Sequence, residues 1–185
     1  MISAQARLPG AASLAAGNPP RGTRDESRAL MSDDVLSLIP TDPRWQPARE
    51  AGEQTAAIAS GLASREESDL DVETDVTWHE NVTVVDCGQN LERIACGRCH
   101  AEIGTSWWGD LLDERSETGF DDLVVRLPCC GAEQSLNDLD YGWPCGFAKF
   151  EIAIWNPGLD WFTSEELTLL AETLGHPVRQ IRAHI

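Results

Sequence analysis

Four cysteines in two short clusters are the residues of this chain whose types and spacing point most directly to a chemistry. Cys96 and Cys99 are separated by two residues, whereas Cys129 and Cys130 are adjacent to each other further along the chain. Two thiolates at the first spacing can bind one tetrahedral metal ion, with Zn–S bonds of about 2.3 Å. A glycine lies inside the first cluster and another directly follows the second, which allows both turns to tighten around the ion. The sequence therefore predicts a structural zinc site whose ligands are these four cysteines.

The adjacent pair, Cys129 and Cys130, does not fix all four ligands, because one of the cysteines can be replaced by another side chain. Both of its side chains must turn to the same side of a tight loop, which is less common than the two-residue spacing of the first cluster. Three other side chains can replace one of the four ligands: His100, Cys87 or Cys145. The interpretation without a metal is a group of reduced, buried thiols that pack as small hydrophobic side chains.

Redox chemistry is a second alternative, because a CxxC motif with a lowered thiol pKa can cycle between a dithiol and a disulfide. That chemistry normally needs the first cysteine at the start of a helix, and the residues through Ile103 have no helical period. Four thiolates leave no coordination position for a catalytic water, and the zinc-enzyme patterns HExxH and HxE…CxxC are missing from the sequence. No phosphate-binding loop or dinucleotide fingerprint occurs in the sequence. The sequence thus yields no catalytic residues, and a thiol oxidoreductase or zinc-dependent enzyme stays the alternative hypothesis.

The net charge of the chain limits the classes of molecule that it can bind. The 185 residues carry a formal net charge of −17, and residues 31–185 alone contain 10 basic and 29 acidic residues. Such a surface repels phosphate backbones, whose binding requires clustered Lys and Arg, so the sequence disfavours nucleic acid. It favours a protein partner with a basic surface, and seven tryptophans against one tyrosine supply aromatic side chains suited to an interface.

The first thirty residues differ in composition from the rest of the chain. Residues 1–30 carry four Arg against two acidic residues and lack the sustained apolar run of a secretory signal. No segment reaches the roughly 18 apolar residues of a membrane helix, and CxxC without an export signal favours a reducing cytoplasm. We therefore predict a disordered leader over residues 1–30, or a true start at Met31, followed by one zinc-stabilised domain over residues 31–185.

Alternating apolar and polar residues predict the strands, and capping residues predict the helices. A strand is expected over residues 70–78 with its acidic side in water, and a turn at 79–81 leads to a second strand paired with it as a hairpin. A capping box of Thr163 and Glu166 begins the last helix, Gly175 ends it, and an edge strand follows. The other predicted elements are helices at 47–63 and 105–115, a solvated link at 65–69, and strands at 82–85, 123–127 and 147–155. The predicted fold class is α+β: a mainly antiparallel sheet with two or three helices and a zinc-ribbon-like knuckle insertion.

Several stretches of the chain resemble small acidic bacterial proteins of uncharacterised function. The stretches are residues 129–143, 147–157, 161–167 and 174–181. The resemblance covers roughly residues 31–185, and it implies no activity. The cysteine clusters by themselves are similar to the knuckles of zinc ribbons, from which this chain departs by having adjacent cysteines where a second CxxC is usual.

These observations together predict a cytoplasmic, zinc-stabilised protein that acts through protein–protein contacts, as a regulatory or immunity-type factor without catalytic activity. The features behind this prediction are the closed set of four cysteines, the acidic strand face and the lack of a catalytic constellation in the sequence. Attraction between opposite charges is expected to contribute to the binding of a basic partner.

Overall fold

The computed structural model describes residues 34–64, 71–115 and 119–185, all of which belong to one compact unit, Ser32–Ile185. The leader, the start at Met31 and the solvated link that the sequence predicts lie outside the described residues and stay predictions. Within the described ranges the chain forms three α-helices and nine strands, and every strand pair in its sheets is antiparallel. The predicted α+β class is therefore confirmed.

The elements fall into a long-stranded part and a part built from very short strands. The helices are α1 (Arg49–Ala63), α2 (Thr105–Arg115) and α3 (Ser164–Leu174). The long strands are β1 (Asp34–Pro40), β2 (Glu73–Val85), β8 (Gly146–Trp155) and β9 (Val178–His184). The short strands are β3 (Ile94–Ala95), β4 (Glu102–Ile103), β5 (Val124–Arg126), β6 (Glu133–Ser135) and β7 (Asp140–Tyr141).

The four long strands form the main sheet in the order β2-β8-β1-β9. Strand β8 alternates buried and half-buried residues, and its buried Phe150, Ile152 and Ile154 all point to one face. The register places Leu36 opposite Ile154 and Leu38 opposite Ile152, so the two central strands present a continuous apolar layer. Helices α1 and α3 contact each other and bury their alanine and leucine side chains against this layer.

The cysteine-bearing part of the chain packs on the opposite face of the sheet, near the start of β8. Phe147 lies at its centre, with its ring centroid 4.9 Å from that of Phe120 and 5.9 Å from that of Trp108. Strands β4, β3 and β7 form a small sheet beside this core, and β5 and β6 form a separate hairpin. Ile94 and Leu127, which flank the two cysteine clusters, are both buried in the same hydrophobic cluster.

The predicted hairpin between residues 70–78 and 82–85 is wrong. Strand β2 is one long strand, and both of its halves pair with β8 on either side of a bulge between Trp78 and Thr83. Tight hairpin turns require a positive φ, most readily supplied by Gly, whereas residues 79–81 contain no glycine and none of them has a positive φ. The extra residues are therefore absorbed as a bulge, and the chain continues in the same direction.

The predictions for the last third of the chain are confirmed. Thr163 accepts a hydrogen bond from the backbone of Glu166, whose side chain accepts from the Thr163 backbone, and Gly175 ends α3 at φ 85°. Strand β9 then pairs with β1 at the edge of the sheet.

Earlier in the chain, the acidic side chains of β2 point to solvent, as the period-two pattern predicts.

Two glycines in α1 give a matched test of how this helix sits on the sheet. A Cβ at Gly52 would lie 2.5 Å from the indole of Trp78 and 3.1 Å from the ring of Phe150, whereas a Cβ at Gly61 meets nothing within 4 Å. We expect Gly52→Ala to lower the free energy of unfolding by about 1–3 kcal/mol through overpacking. Gly61→Ala should raise it by up to about 1 kcal/mol through helix propensity.

Urea unfolding followed by far-UV circular dichroism measures both changes. Equal stabilisation by the two substitutions would mean that α1 does not lie this close to β2 and β8.

Candidate metal centre

Two short hairpins carry the two cysteine clusters at their turns. Strands β3 and β4 flank the first turn, residues 96–101, and strands β5 and β6 flank the second, residues 127–132. Each hairpin has two or three residues per strand, so the turn forms a large part of each unit. The positions of the thiols are therefore fixed by the backbone of the turns.

The first turn is closed by two backbone hydrogen bonds. Cys96 N–H donates to Ala101 O at 2.9 Å, and His100 N–H donates to Cys96 O at 2.9 Å. His100 has φ 59°, a left-handed conformation that is uncommon for a residue other than glycine. This geometry turns Cys96 and Cys99 toward the same point.

The second turn repeats the same pattern of hydrogen bonds. Leu127 N–H donates to Ala132 O at 2.9 Å, and Gly131 N–H donates to Leu127 O at 2.9 Å. Gly131 has φ 70°, and it therefore occupies the place that His100 has in the first turn. In this alignment Cys130 corresponds to Cys99.

The alignment explains the adjacent cysteines that the sequence pattern left unexplained. The first position of the second turn, which corresponds to Cys96, is Leu127, a buried hydrophobic side chain. The missing thiol is supplied two residues later by Cys129. The spacing between the cysteines does not show that the thiol is displaced by two residues from Leu127 to Cys129. The sequence feature that indicates the displacement is the glycine four residues after Leu127.

The four thiols converge on one point. All four Sγ atoms lie within 4.8 Å of one another, with Cys99 Sγ 3.6 Å from Cys129 Sγ and Cys96 Sγ 3.9 Å from Cys130 Sγ. A tetrahedral ion with Zn–S bonds of about 2.3 Å requires sulfur–sulfur distances of roughly 3.8 Å. None of the six cysteines of the chain forms a disulfide. The four predicted ligands are thus brought together in an arrangement that can bind a metal ion.

Backbone groups of the first turn favour the thiolate form of Cys96. The N–H groups of Cys99 and Arg98 both point at Cys96 Sγ, each with a nitrogen–sulfur distance of 3.4 Å. The hydrogen bond from Cys99 is the largest cause that lowers the pKa of Cys96, to about 6, and the bond from Arg98 adds to it against the opposing effect of burial. Such N–H···S bonds are the outer contacts that orient a metal ligand.

In the second cluster the pKa of Cys129 shifts in the opposite direction to that of Cys96. Loss of hydration in the crowded cluster, followed by the neighbouring thiols of Cys99 and Cys130, raises the pKa of Cys129 to about 12. Four sulfurs this close cannot all be ionised without a cation between them, since the charges repel. Metal binding would therefore release protons and hold all four as thiolates.

The other predicted ligand candidates lie outside this group. His100 is exposed, and its ring nitrogens do not belong to the cluster of ligand atoms. Cys87 and Cys145 are buried elsewhere and interact with each other, which lowers the pKa of Cys87 and raises that of Cys145. Cys145 Sγ also donates to Val85 O at 3.6 Å.

Comparison with known proteins assigns no family to the chain. No protein-family model, no curated protein and no solved structure matches it. The resemblance to acidic bacterial proteins and to zinc ribbons therefore stays a prediction. Among the described residues, no helix has the length and apolar character needed to cross a bilayer.

The corresponding positions of the two turns give a test that separates strain from ligation. His100→Gly should keep the metal stoichiometry and raise the free energy of unfolding by up to about 1 kcal/mol, because glycine adopts positive φ without a Cβ clash. Gly131→Ala, at the same place in the second turn, should lower that free energy by about 1 kcal/mol. Thermal unfolding of the metal-loaded protein, with metal content measured on the same samples, checks both. Loss of metal in His100→Gly would make His100 a ligand.

Proposed function

We propose that this chain is a structural zinc protein that acts by binding another protein rather than by catalysis. The observation that carries the proposal is the group of four cysteine thiols at one point. Four thiolates complete the tetrahedral coordination of zinc, so no position is open for a water or a substrate. A closed site of this kind contributes its binding free energy to folding.

The size of the two hairpins supports a folding role for the metal. A two-stranded hairpin is marginally stable in water, and β5 and β6 form such a hairpin with three residues per strand. Strands β3 and β4 contain only two residues each and have β7 as their one further neighbour in the described residues. The first turn also lies close to the second hairpin, because a Cβ at Gly97 would be 2.4 Å from Nε2 of Gln134. Zinc would join the two turns at their tips and fix this contact.

The charge of the chain supports a basic protein as the partner. A net charge of −17 attracts a cationic surface and repels nucleic acid. A regulatory or immunity-type role in the cytoplasm fits a small acidic protein with a structural metal, and it requires no catalytic residues.

A thiol oxidoreductase is the second candidate, and the lowered pKa of Cys96 is the observation that favours it. A thiolate at neutral pH is the form that attacks a disulfide. Cys96 is fully buried, however, and the exposed Cys99 faces Cys129 rather than a strand–helix junction. A zinc-dependent enzyme would have to release one thiolate to open a coordination position.

Metal analysis tests the zinc proposal. Protein purified without a histidine tag under reducing conditions should contain one zinc per chain by elemental analysis. The four cluster thiols should become reactive to a thiol reagent only after chelation, and chelation should lower the melting temperature. Cys99→Ala should lose the zinc, whereas Cys145→Ala, which removes a thiol outside the cluster, should retain it.

The opposite result is equally informative. Protein without metal, with a thiol pair that reacts rapidly near neutral pH, would contradict the structural zinc site and establish the oxidoreductase as the working function.

Salt dependence tests the basic partner. The zinc-loaded full chain, immobilised and exposed to nuclease-treated lysate, should capture a protein that elutes as the salt rises from about 0.05 to 0.5 M, since the Debye length falls over that range. Capture that is unchanged at the higher salt would remove the claim that the acidic surface binds a basic partner.

A further inference from the structure

A small cavity of about 230 Å³ lies where the edge strand β9 meets β7 and the start of β8. Arg179 and Ile181 of its lining come from β9, Tyr141 comes from β7, and Asn137 and Cys145 come from the segments on either side of β7. The volume is below the range of about 300–1,000 Å³ that is typical of sites for drug-sized molecules. It suits an ion of a few atoms, since one water molecule takes up about 30 Å³.

The guanidinium of Arg179 is partly buried at this cavity and lacks an acidic partner in the described part of the chain. Its Nη2 donates to Oδ1 of Asn137, whereas its Nε is buried and meets no hydrogen-bond acceptor among the described residues. Burial lowers the pKa of Arg179, because the charged form loses hydration that the neighbouring groups replace only in part. The chain itself therefore compensates this cation incompletely.

Partly buried cations elsewhere in the described ranges do have such partners. Lys149 and Arg182 each form an ion pair with an aspartate, and Arg115 donates to a main-chain carbonyl. Charges removed from water are normally paired, because an unpaired one loses its hydration without a replacement. Arginine does not avoid this cost by losing its proton, since it stays charged in proteins. In a chain with 31 acidic residues, the lack of a carboxylate at Arg179 favours an anion from outside the chain.

The other polar groups of the cavity are compatible with an anion. Oδ1 of Asn137 accepts from Arg179, which leaves the N–H groups of the same amide as donors. Asp140 supplies a carboxylate to the lining, and Arg93 pairs with it at 2.9 Å. The cavity therefore combines a cation that needs a counter-charge with a neutral donor, and its own carboxylate is already neutralised.

We propose that this cavity binds a small oxyanion, a carboxylate or phosphate group, through the guanidinium of Arg179 and the side-chain amide of Asn137. A guanidinium presents a planar fork of N–H donors that matches two oxygens of such a group, and the charges strengthen these hydrogen bonds. The net charge of −17 opposes anions at long range, but salt screens this effect beyond about 8 Å at physiological ionic strength. The inference goes beyond the proposed function, because the site requires neither the metal nor the protein partner.

Titration with small anions tests the proposal on the ¹⁵N-labelled full chain. Sodium acetate and sodium phosphate are added in separate series, with the ionic strength held constant by sodium chloride. We expect an oxyanion to shift the side-chain amide signals of Asn137 and the Nε–H signal of Arg179 in a saturable manner, whereas chloride alone leaves them in place. The oxyanion with the lower dissociation constant identifies the ligand group as a carboxylate or a phosphate.

Matched variants of the chain localise the binding. Arg179→Gln removes the cation and should weaken the binding of the better oxyanion at least tenfold, because hydrogen bonds to charged groups are the stronger ones. Asn137→Asp keeps Arg179 and supplies a carboxylate from the chain itself, so we expect weaker oxyanion binding and a higher melting temperature in chloride. The control Arg49→Gln removes an exposed charge from α1, outside the cavity, and should bind as the unmodified chain does.

Three results would overturn the inference. They are the lack of a saturable shift of the Asn137 and Arg179 side-chain signals with either oxyanion, equal shifts with sodium chloride, and unchanged affinity in either folded variant. The first two are measured on the unmodified chain, so they decide the question even where a variant does not fold. Zinc content is measured on the same samples. Zinc without oxyanion binding excludes only the cavity, whereas oxyanion binding without zinc excludes only the structural zinc site.

Discussion

Repulsion between four sulfurs is the constraint on which the cysteine-bearing half of the molecule depends. Within 4.8 Å of one another, the thiols cannot all ionise. Loss of hydration, with the neighbouring thiols of Cys99 and Cys130, raises the pKa of Cys129 to about 12. A cation bound at their centre would convert this repulsion into attraction. The short strands around the thiols contribute few backbone hydrogen bonds of their own, so such a cation would help to order both turns.

The candidate ligands could be predicted from the sequence, but the register of the second turn could not. Cysteine spacing identifies Cys96 and Cys99 because the two-residue interval is itself the geometric signal. In the second turn the equivalent signal is a backbone pattern, with Leu127 and Gly131 in the places of Cys96 and His100. The spacing between the cysteines carries no information on that pattern, because the pattern is defined by the backbone hydrogen bonds of the turn.

Local signals predicted the helices well and failed where a partner lies far along the chain. The capping box at Thr163 is complete within four residues, so α3 begins where the sequence predicts. Residues 79–81 look like a turn between two strands, yet β8, some seventy residues away, pairs with both sides of them.

The bulged edge strand β2 has a consequence for how a partner can attach. In the described part of the chain β2 pairs with β8 alone, so its outer edge is free of another strand. Acidic side chains and a bulge make such an edge a poor template for strand addition, the mechanism by which sheets of separate molecules merge. Contact with another protein would then have to be made through side chains rather than main-chain pairing. The same edge would protect the protein against its own aggregation.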